Sequence, residues 1–266
     1  MRNELIDLAQ AAGEIALSYF SGEREVSVEE KGHLDLVTLA DREVERFIVD
    51  ALRRRFPDDG IVGEEGAAIN RNAARQWVID PIDGTFNFVR KMDQWAVSIG
   101  LFENGRPVFG VIHAPVRRET LSGGGDMEVL LNARPLPALS PLDPARGVIS
   151  IGFSTDTSWE VEQEVIRFIT RDLKMSYRNC GSTTAAFLML AAGQVDANLG
   201  CGVRSWDVMA GLALIEGLGG SDSVNWRSTG LDTQFSYVSG CPDVVERTRG
   251  LLDRIQMSNI VKASAG

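Results

Sequence analysis

Apolar residues recur along this chain with two different periods, and these periods divide it into helices and strands. Near the amino terminus, Leu5, Leu8, Ala12 and Ile15 lie three or four residues apart, which predicts an amphipathic helix over 3–20. The same helical spacing predicts further helices over 39–56, 158–169, 182–192, 206–218 and 242–256.

Short apolar or alternating runs predict strands between these helices. The runs cover 61–62, 77–79, 95–102, 107–114, 117–122, 127–131, 148–153, 174–178 and 195–199. Asn104-Gly105 lies between two of them and favours a tight hairpin turn. We expect Gly123–Gly125 to form a loop, because this glycine run lacks the helix-opening context of a nucleotide fingerprint. Strands interleaved with helices predict an α/β architecture with layered sheets.

Prolines cluster at one place in the middle of the chain. Four of the nine, Pro135, Pro137, Pro141 and Pro144, fall within 15 residues. We expect a boundary here between an amino-terminal half, 1–140, and a carboxyl-terminal half, 141–266, that together form one compact unit.

Composition excludes several classes of protein. Hydrophobic residues make up 44% of the chain, enough to fill a core. A formal net charge of −10 argues against non-specific binding to nucleic acid, which depends on a basic surface. It does not argue against an anionic substrate, because a bound cation reverses the local sign of charge.

The same composition predicts a cytoplasmic protein. Three cysteines without a Cys-x-x-Cys pair, and two histidines, argue against a disulfide framework or a zinc site and fit a reducing compartment. Glu4 and Asp7 argue against a secretory signal. The longest uninterrupted apolar run, 185–192, is far shorter than the roughly 20 residues that span a bilayer, so no membrane partner is expected.

The strongest candidate for a functional motif begins at a predicted strand end. Trp77–Ile79 predicts a short buried strand that stops at Asp80, because Pro81 has no N–H with which to continue the ladder. Asp80 and Asp83, three residues apart, can then converge on one small volume. An Asp-Pro turn followed by an Asp-Gly turn is the structural alternative.

The residues that follow suit an anion. Gly84 has no β-carbon, so a ligand can approach its backbone closely. A helical turn that begins at Thr85 would direct free N–H groups toward the same volume. Carboxylates for a hard cation beside N–H groups for a phosphate predict a metal-assisted phosphoryl site.

Other polar residues are weaker candidates when taken alone. Asp41 falls in the first turn of a predicted helix and Asp207 near the start of another, where both are favoured as caps or dipole partners. Glu64-Glu65 lies between two glycines. It is either a solvated acidic turn, or one glutamate faces a metal while the other points the opposite way and supports the site. Lys31 lies at the expected tip of a hairpin or loop over 21–37, where it is either solvated or helps to hold a phosphate.

Four motifs, taken together, resemble the inositol monophosphatase family over about residues 4 to 250. They are Asp35-Leu36-Val37-Thr38 with Asp41, Gly63-Glu64-Glu65, Asp80-Pro81-Ile82-Asp83-Gly84-Thr85, and Trp206-Asp207-Val208-Met209-Ala210-Gly211. The resemblance implies an αβαβα sandwich, a homodimer, and a magnesium-dependent, lithium-sensitive phosphomonoesterase.

The resemblance also implies a set of metal ligands. Glu64, Asp80 and the carbonyl of Ile82 would hold one Mg²⁺, and Asp80, Asp83 and Asp207 would hold a second. Glu64, together with Asp41, would lie near further metal or water positions, which gives two or three Mg²⁺ per site. In the family's chemistry these cations neutralise the phosphate, lower the pKa of a water and stabilise the leaving oxygen.

The remaining implied roles concern water and substrate. Thr85 would hydrogen-bond to Asp41 and help to orient the attacking water. The N–H groups of Gly84 and Thr85 would hold the phosphate.

Three residues depart from the family pattern or lie beside a departure. Phe86 stands where many members have a second threonine, and it could pack in the core. Gly200 stands seven residues before Asp207, where inositol phosphatases have a glutamate that contacts substrate hydroxyls. We expect Gly200 to lie in a loop and to enlarge a pocket lined also by Arg204 and the Gly181–Thr183 backbone. Inositol phosphate would then be a poor substrate relative to a bulkier ester.

The sequence therefore predicts hydrolysis of a small phosphorylated metabolite such as an inositol, polyol or sugar phosphate. Histidinol phosphate and a nucleotide 3′-phosphate are alternatives within the family. A non-catalytic regulatory protein that binds a partner, or a structural cation-binding protein, are alternatives of other classes. The complete set of Glu64, Asp80, Asp83, Thr85 and Asp207 favours an enzyme, because a scaffold would not require it.

Overall fold

The structure is a computed structural model. It describes the backbone of residues 1–25, 27–32 and 35–264, and the side chains of 1–25, 27–29 and 37–255. The helices are α1 (Arg2–Phe20), α2 (Leu39–Arg55), α3 (Thr85–Val89), α4 (Trp159–Arg167), which continues as a π-helix over Phe168–Leu173, α5 (Thr183–Ala191), α6 (Ser205–Gly217) and α7 (Pro242–Ser264).

The strands belong to three sheets. They are β1 (Val28–Gly32), β2 (Asp35–Thr38), β3 (Gly60–Gly63), β4 (Ala68–Ile69), β5 (Arg75–Asp83), β6 (Ala96–Glu103), β7 (Arg106–Ala114), β8 (Glu119–Gly124), β9 (Met127–Leu131), β10 (Arg134–Pro135), β11 (Val148–Phe153), β12 (Ser176–Arg178), β13 (Ala197–Val203), β14 (Ser221–Asp222) and β15 (Phe235–Gly240). An eight-stranded sheet has the order β10-β9-β8-β7-β6-β5-β3-β4, a five-stranded sheet has the order β12-β11-β13-β15-β14, and β1 pairs with β2.

Three apolar clusters join these elements into layers. The first packs α1 and α2 against the large sheet, with Ile48 and Trp77 among its fully buried members. The second lies between the two sheets and contains Phe187 of α5 and Leu212 of α6. The third packs α4 and α7 against the far face of the small sheet. The layers therefore alternate as α, β, α, β and α, which confirms the predicted fold class.

Most predicted elements are present, with their ends shifted by a few residues. The Asn104-Gly105 turn has φ of +54° and +78° at its two central residues, as a two-residue hairpin turn requires. Gly123 and Gly124 belong to β8, so the prediction of a loop holds only for Gly125. Among the helices that the structure describes, none has a stretch long and apolar enough to cross a membrane.

The prediction that the central strand stops at Asp80 is wrong. β5 continues to Asp83, and its pairing with β6 is interrupted after Asp80 and resumes at Asp83 opposite Ala96. Pro81 falls inside this irregularity, where its missing N–H costs no ladder hydrogen bond. The irregularity lies between the two aspartates.

The predicted end of the strand before Asp207 is also wrong. β13 runs from Ala197 to Val203, so Gly200 lies in mid-strand and not in a loop. It is paired with Gly152 of β11 on one side and Tyr237 of β15 on the other. The sequence analysis predicted neither β15 nor the short β14.

Candidate metal and phosphate site

Three carboxylates converge where β5 meets the start of α6. Asp80 and Asp83 come from the carboxyl-terminal end of β5, and Asp207 lies in the first turn of α6. One carboxylate oxygen from each lies within 4.8 Å of the others. Asp80 is 1% exposed, and its Oδ1 has no hydrogen-bond partner among the described residues. The three-carboxylate cluster therefore brings three acidic groups together in a place largely removed from water.

Burial and mutual repulsion both disfavour the ionised forms of these groups. Burial, and then the charges of Glu64, Asp83 and Asp207, raise the pKa of Asp80 well above its usual range. Burial, reinforced by Asp83, raises the pKa of Asp207 to about 7. A divalent cation relieves both costs, and an all-oxygen set of donors with an unpartnered carboxylate oxygen suits Mg²⁺.

Protein donors fix the orientation of two of the carboxylates. Oδ2 of Asp83 accepts hydrogen bonds from Ser182 Oγ at 2.7 Å, Thr184 Oγ1 at 2.6 Å and the Thr184 N–H. Oδ2 of Asp207 accepts one from the Arg204 N–H at 2.7 Å. Sequence analysis included Ser182 only through the Gly181–Thr183 backbone, and it missed the hydroxyls of Ser182 and Thr184. Hydroxyl residues at the start of an apolar helix are typical of an N-cap.

The start of α3 borders the cluster. Gly84 has a φ of +92°, and a β-carbon there would come 2.9 Å from the Gln94 carbonyl oxygen and 3.0 Å from Ser182 Cβ. Both the backbone conformation and the close packing require glycine at this position. Thr85, two residues after Asp83, then begins α3, and the N–H groups of its first turn have no partner within that helix.

Asp41 contacts Thr85 across the site. The Thr85 hydroxyl lies 3.4 Å from Asp41 Oδ1 and 3.2 Å from the Ile82 carbonyl oxygen. Asp41 Oδ2 accepts hydrogen bonds from the N–H of Thr38 at 2.8 Å and from its hydroxyl at 2.6 Å. Asp41 therefore takes part in the capping box of α2 and also contacts Thr85. Burial raises its pKa to about 6.

Glu64 lies beside Asp80, but it is not one of the three residues whose carboxylate oxygens lie within 4.8 Å of one another. The turn that places it depends on Glu45, which sequence analysis missed. Glu45 is 6% exposed and accepts hydrogen bonds from the N–H groups of Glu65 at 2.8 Å and Ala67 at 3.0 Å. An acidic residue beside Val44, on the buried face of an amphipathic helix, was the available signal.

A cavity of about 500 Å³ opens from the cluster toward the small sheet. Of the predicted substrate residues, Gly181, Thr183 and Gly200 line it. The Lys31 side chain lies outside the described residues.

Two interpretations of cavity residues are wrong. Arg204 is not among the lining residues, because its guanidinium donates to the Asp232 carbonyl at 2.8 Å and lies over the Trp206 ring. Its contribution to the site is the backbone N–H on Asp207. Phe86 does not pack in the core, since it is 47% exposed at the cavity wall.

Gly200 does not enlarge the cavity in the way the sequence suggested. A β-carbon at Gly200 would come 2.6 Å from Tyr237 Cε1 and 2.7 Å from Val203 Cγ1. The Tyr237 ring, which is fully buried, fills the space that a side chain at position 200 would need. The expected preference against inositol phosphate therefore loses its structural basis.

Comparison with known proteins agrees with this geometry. The model of the inositol monophosphatase family matches residues 1–254. The chain is 34% identical to the fructose-1,6-bisphosphatase/inositol-1-monophosphatase of Thermotoga maritima, over 88% of this chain and 90% of that one. It is 30% identical to the Nus factor SuhB of Escherichia coli, over 92% and 93%. The solved structure of a Thermotoga maritima IMPase superposes with a TM-score of 0.79 at 27% identity, covering 95% of this chain and 96% of the other. The chain belongs to the inositol monophosphatase family.

Proposed function

We propose that this protein is a Mg²⁺-dependent phosphomonoesterase that uses an attacking water to hydrolyse a small phosphorylated metabolite such as an inositol, polyol or sugar phosphate. One observation supports this above all others: three carboxylates lie within 4.8 Å of one another beside the start of a helix. The cluster is costly without a cation, and the helix start supplies N–H groups for a phosphate.

The cation ligands would come from β5, from α6 and from the turn after β3. Asp80, Asp83 and Asp207 would hold Mg²⁺, with Glu64 and the Ile82 carbonyl completing a set for two or three ions. When bound, such ions neutralise phosphate charge, make a water more acidic and stabilise the leaving oxygen. The fixed orientations of Asp83 and Asp207 would reduce the reorganisation needed for this binding.

The remaining residues would act on phosphate and water. The N–H groups of Gly84 and Thr85 would hold the phosphate oxygens. The Thr85 hydroxyl, between Asp41 and the Ile82 carbonyl, would orient the attacking water. Phosphoryl transfer depends mainly on positioning and charge stabilisation, so no nucleophilic side chain is needed.

The names of the relatives favour two different functions. The relative from Thermotoga maritima is named as a phosphatase, and this supports catalysis here. The relative from Escherichia coli is named as a Nus factor, and this supports the second candidate, a regulatory protein that acts by binding a partner. The three-carboxylate cluster favours the enzyme, because partner binding through a surface does not require a cation site beside a cavity.

A phosphate-release assay decides between them. The purified chain is incubated with a panel of phosphomonoesters, with Mg²⁺ and with chelator. Mg²⁺-dependent release that disappears in Asp80→Asn supports the enzyme. Asp143→Asn is the matched control, because the Asp143 side chain is 46% exposed and pairs with Arg146 outside the three-carboxylate cluster. Absence of release on every ester would overturn the proposal. Size-exclusion chromatography with light scattering tests the homodimer that we also propose.

A further inference from the structure

The cavity wall opposite the carboxylates is one face of the small sheet. Side chains alternate between the two faces of a strand, so Ile149, Ile151 and Leu199 point to the far face, where they join the core under α4 and α7. The alternate positions point to the opposite face, and four of them, Ser150, Gly152, Asn198 and Gly200, line the cavity. They form two rows across β11, β13 and β15, namely Ser150, Asn198 and Ser239, and next to them Gly152, Gly200 and Tyr237.

The two glycines of the second row differ in what surrounds them. A β-carbon at Gly200 would meet Tyr237 at 2.6 Å, so packing excludes a side chain there. A β-carbon at Gly152 would meet no heavy atom within 4 Å. Gly152 is also absent from the glycines with positive φ, so its backbone conformation accepts any residue.

A glycine that neither packing nor backbone requires has a cost. Glycine inside a strand is less stabilising than alanine, because it loses more backbone freedom on folding. At Gly152 the lost stability is offset by room in the cavity, because this residue and its neighbours Ser150 and Ser154 line the cavity. We infer that Gly152 sets the largest leaving group that the site accepts, an inference that rests on the proposed phosphatase function.

The chemistry around Gly152 indicates what fills that space. Among the described lining residues, Asp83 and Asp207 are the charged ones, and both belong to the carboxylate cluster. The wall near Gly152 offers neutral hydrogen-bonding side chains, including Ser150 and Asn198. An uncharged, hydroxylated leaving group fits this wall, whereas a second phosphate at that end would find no cationic side chain among the described lining residues.

The test adds a side chain at Gly152 and compares substrates of different size. Gly152→Ala and Gly152→Leu are assayed with glycerol 2-phosphate as the small ester and with inositol 1-phosphate and 2′-AMP as larger ones. In Gly152→Leu, the kcat/KM ratio of small to large ester should rise by about tenfold or more, with a smaller rise in Gly152→Ala. An unchanged ratio in both variants, with folding intact by circular dichroism, overturns the inference.

Two controls separate size selection from other effects. Gly250→Leu adds the same side chain on the exposed face of α7, where the nearest atom is Arg254 Nη1 at 3.9 Å, and should not change the ratio. Calorimetry in Ca²⁺ measures binding of inorganic phosphate and of 2′-AMP without requiring turnover. In Gly152→Leu, the affinity for 2′-AMP should fall much more than the affinity for phosphate, and an equal fall in both would contradict the role.

The same design distinguishes the two proposals. If the unmodified chain hydrolyses no ester of the full panel, the proposed function fails, and the calorimetric comparison still decides whether Gly152 limits the size of the bound ligand. If the chain is active but the ratio does not change, only the inference about Gly152 fails.

Discussion

The hydroxyl of Thr85 lies 3.4 Å from Oδ1 of Asp41, although 44 residues separate them in the chain. The contact joins the start of α3 to the start of α2, directly beside the carboxylate cluster. Asp41 is fixed on its other oxygen by Thr38, so Thr85 meets an acceptor that is already oriented.

Thr85→Ala should lower kcat by about 100-fold and should raise KM much less. The reason is that orientation of the attacking water stabilises mainly the transition state. Thr85→Ser retains the hydroxyl and should recover most of the loss. Steady-state kinetics on the best ester measures both. A change confined to KM would assign Thr85 to substrate binding.

Asp207→Asn should keep the fold and reduce kcat by about 100-fold or more, since loss of one charged metal ligand removes several kcal/mol of transition-state stabilisation. The introduced amide would still offer an oxygen to the Arg204 N–H, so α6 should start normally. Kinetics and Mg²⁺ calorimetry should both detect the change, and Asp143→Asn should behave as the unmodified chain does. Full activity of Asp207→Asn in chelator would rule out the assignment.

The stability of the metal-free protein should fall as pH rises from about 4 to 7. Burial raises the pKa of Asp207 to about 7 and that of Asp41 to about 6, both above the unfolded value of 3.8. The folded state therefore binds more protons than the unfolded state in this window, and deprotonation destabilises it. Urea unfolding in chelator at pH 5 and pH 7.5 measures the difference.

Mg²⁺ should reverse that loss, because it binds the ionised carboxylates of the folded state. At a concentration 100-fold above its dissociation constant the gain is about 2.7 kcal/mol. A pH dependence of stability that is the same in Asp207→Asn as in the unmodified chain would contradict the role given to the carboxylate cluster.

Lithium should inhibit turnover when Mg²⁺ is limiting. Li⁺ is small and hard, and we propose that it replaces the Mg²⁺ held by Asp80, Asp83 and Asp207. Activity is measured against Li⁺ in the millimolar range at two Mg²⁺ concentrations, with K⁺ as the control salt. Equal activity in Li⁺ and K⁺ would count against this site.

Gly200→Ala should destabilise the fold by about 1–3 kcal/mol, because the new methyl overlaps the Tyr237 ring. Tyr237→Leu should partly relieve the overlap, so the double variant should be more stable than the sum of the single changes predicts. Thermal unfolding of the four proteins measures the coupling. If Gly200→Ala unfolds at the same temperature as the unmodified chain, the ring does not fill that space.

The sequence alone determined the layered α/β class and most of the helices, because apolar spacing follows directly from which face of each element is buried. It also indicated the carboxylates, since Asp80 and Asp83 are close in the chain. The sequence could not predict the length of β5. A proline at an interruption of strand pairing and a proline at the end of a strand can have the same neighbours in the sequence.

Only the tertiary structure decided what each glycine and each polar side chain does. Gly200 and Gly152 look alike in the sequence, yet one lies against the ring of Tyr237 and the other against open space. Arg204 could point toward the cavity or away from it, and the carbonyl of Asp232 decides its direction. These outcomes depend on segments that are distant in the chain, and no local pattern specifies which distant segment will be the neighbour.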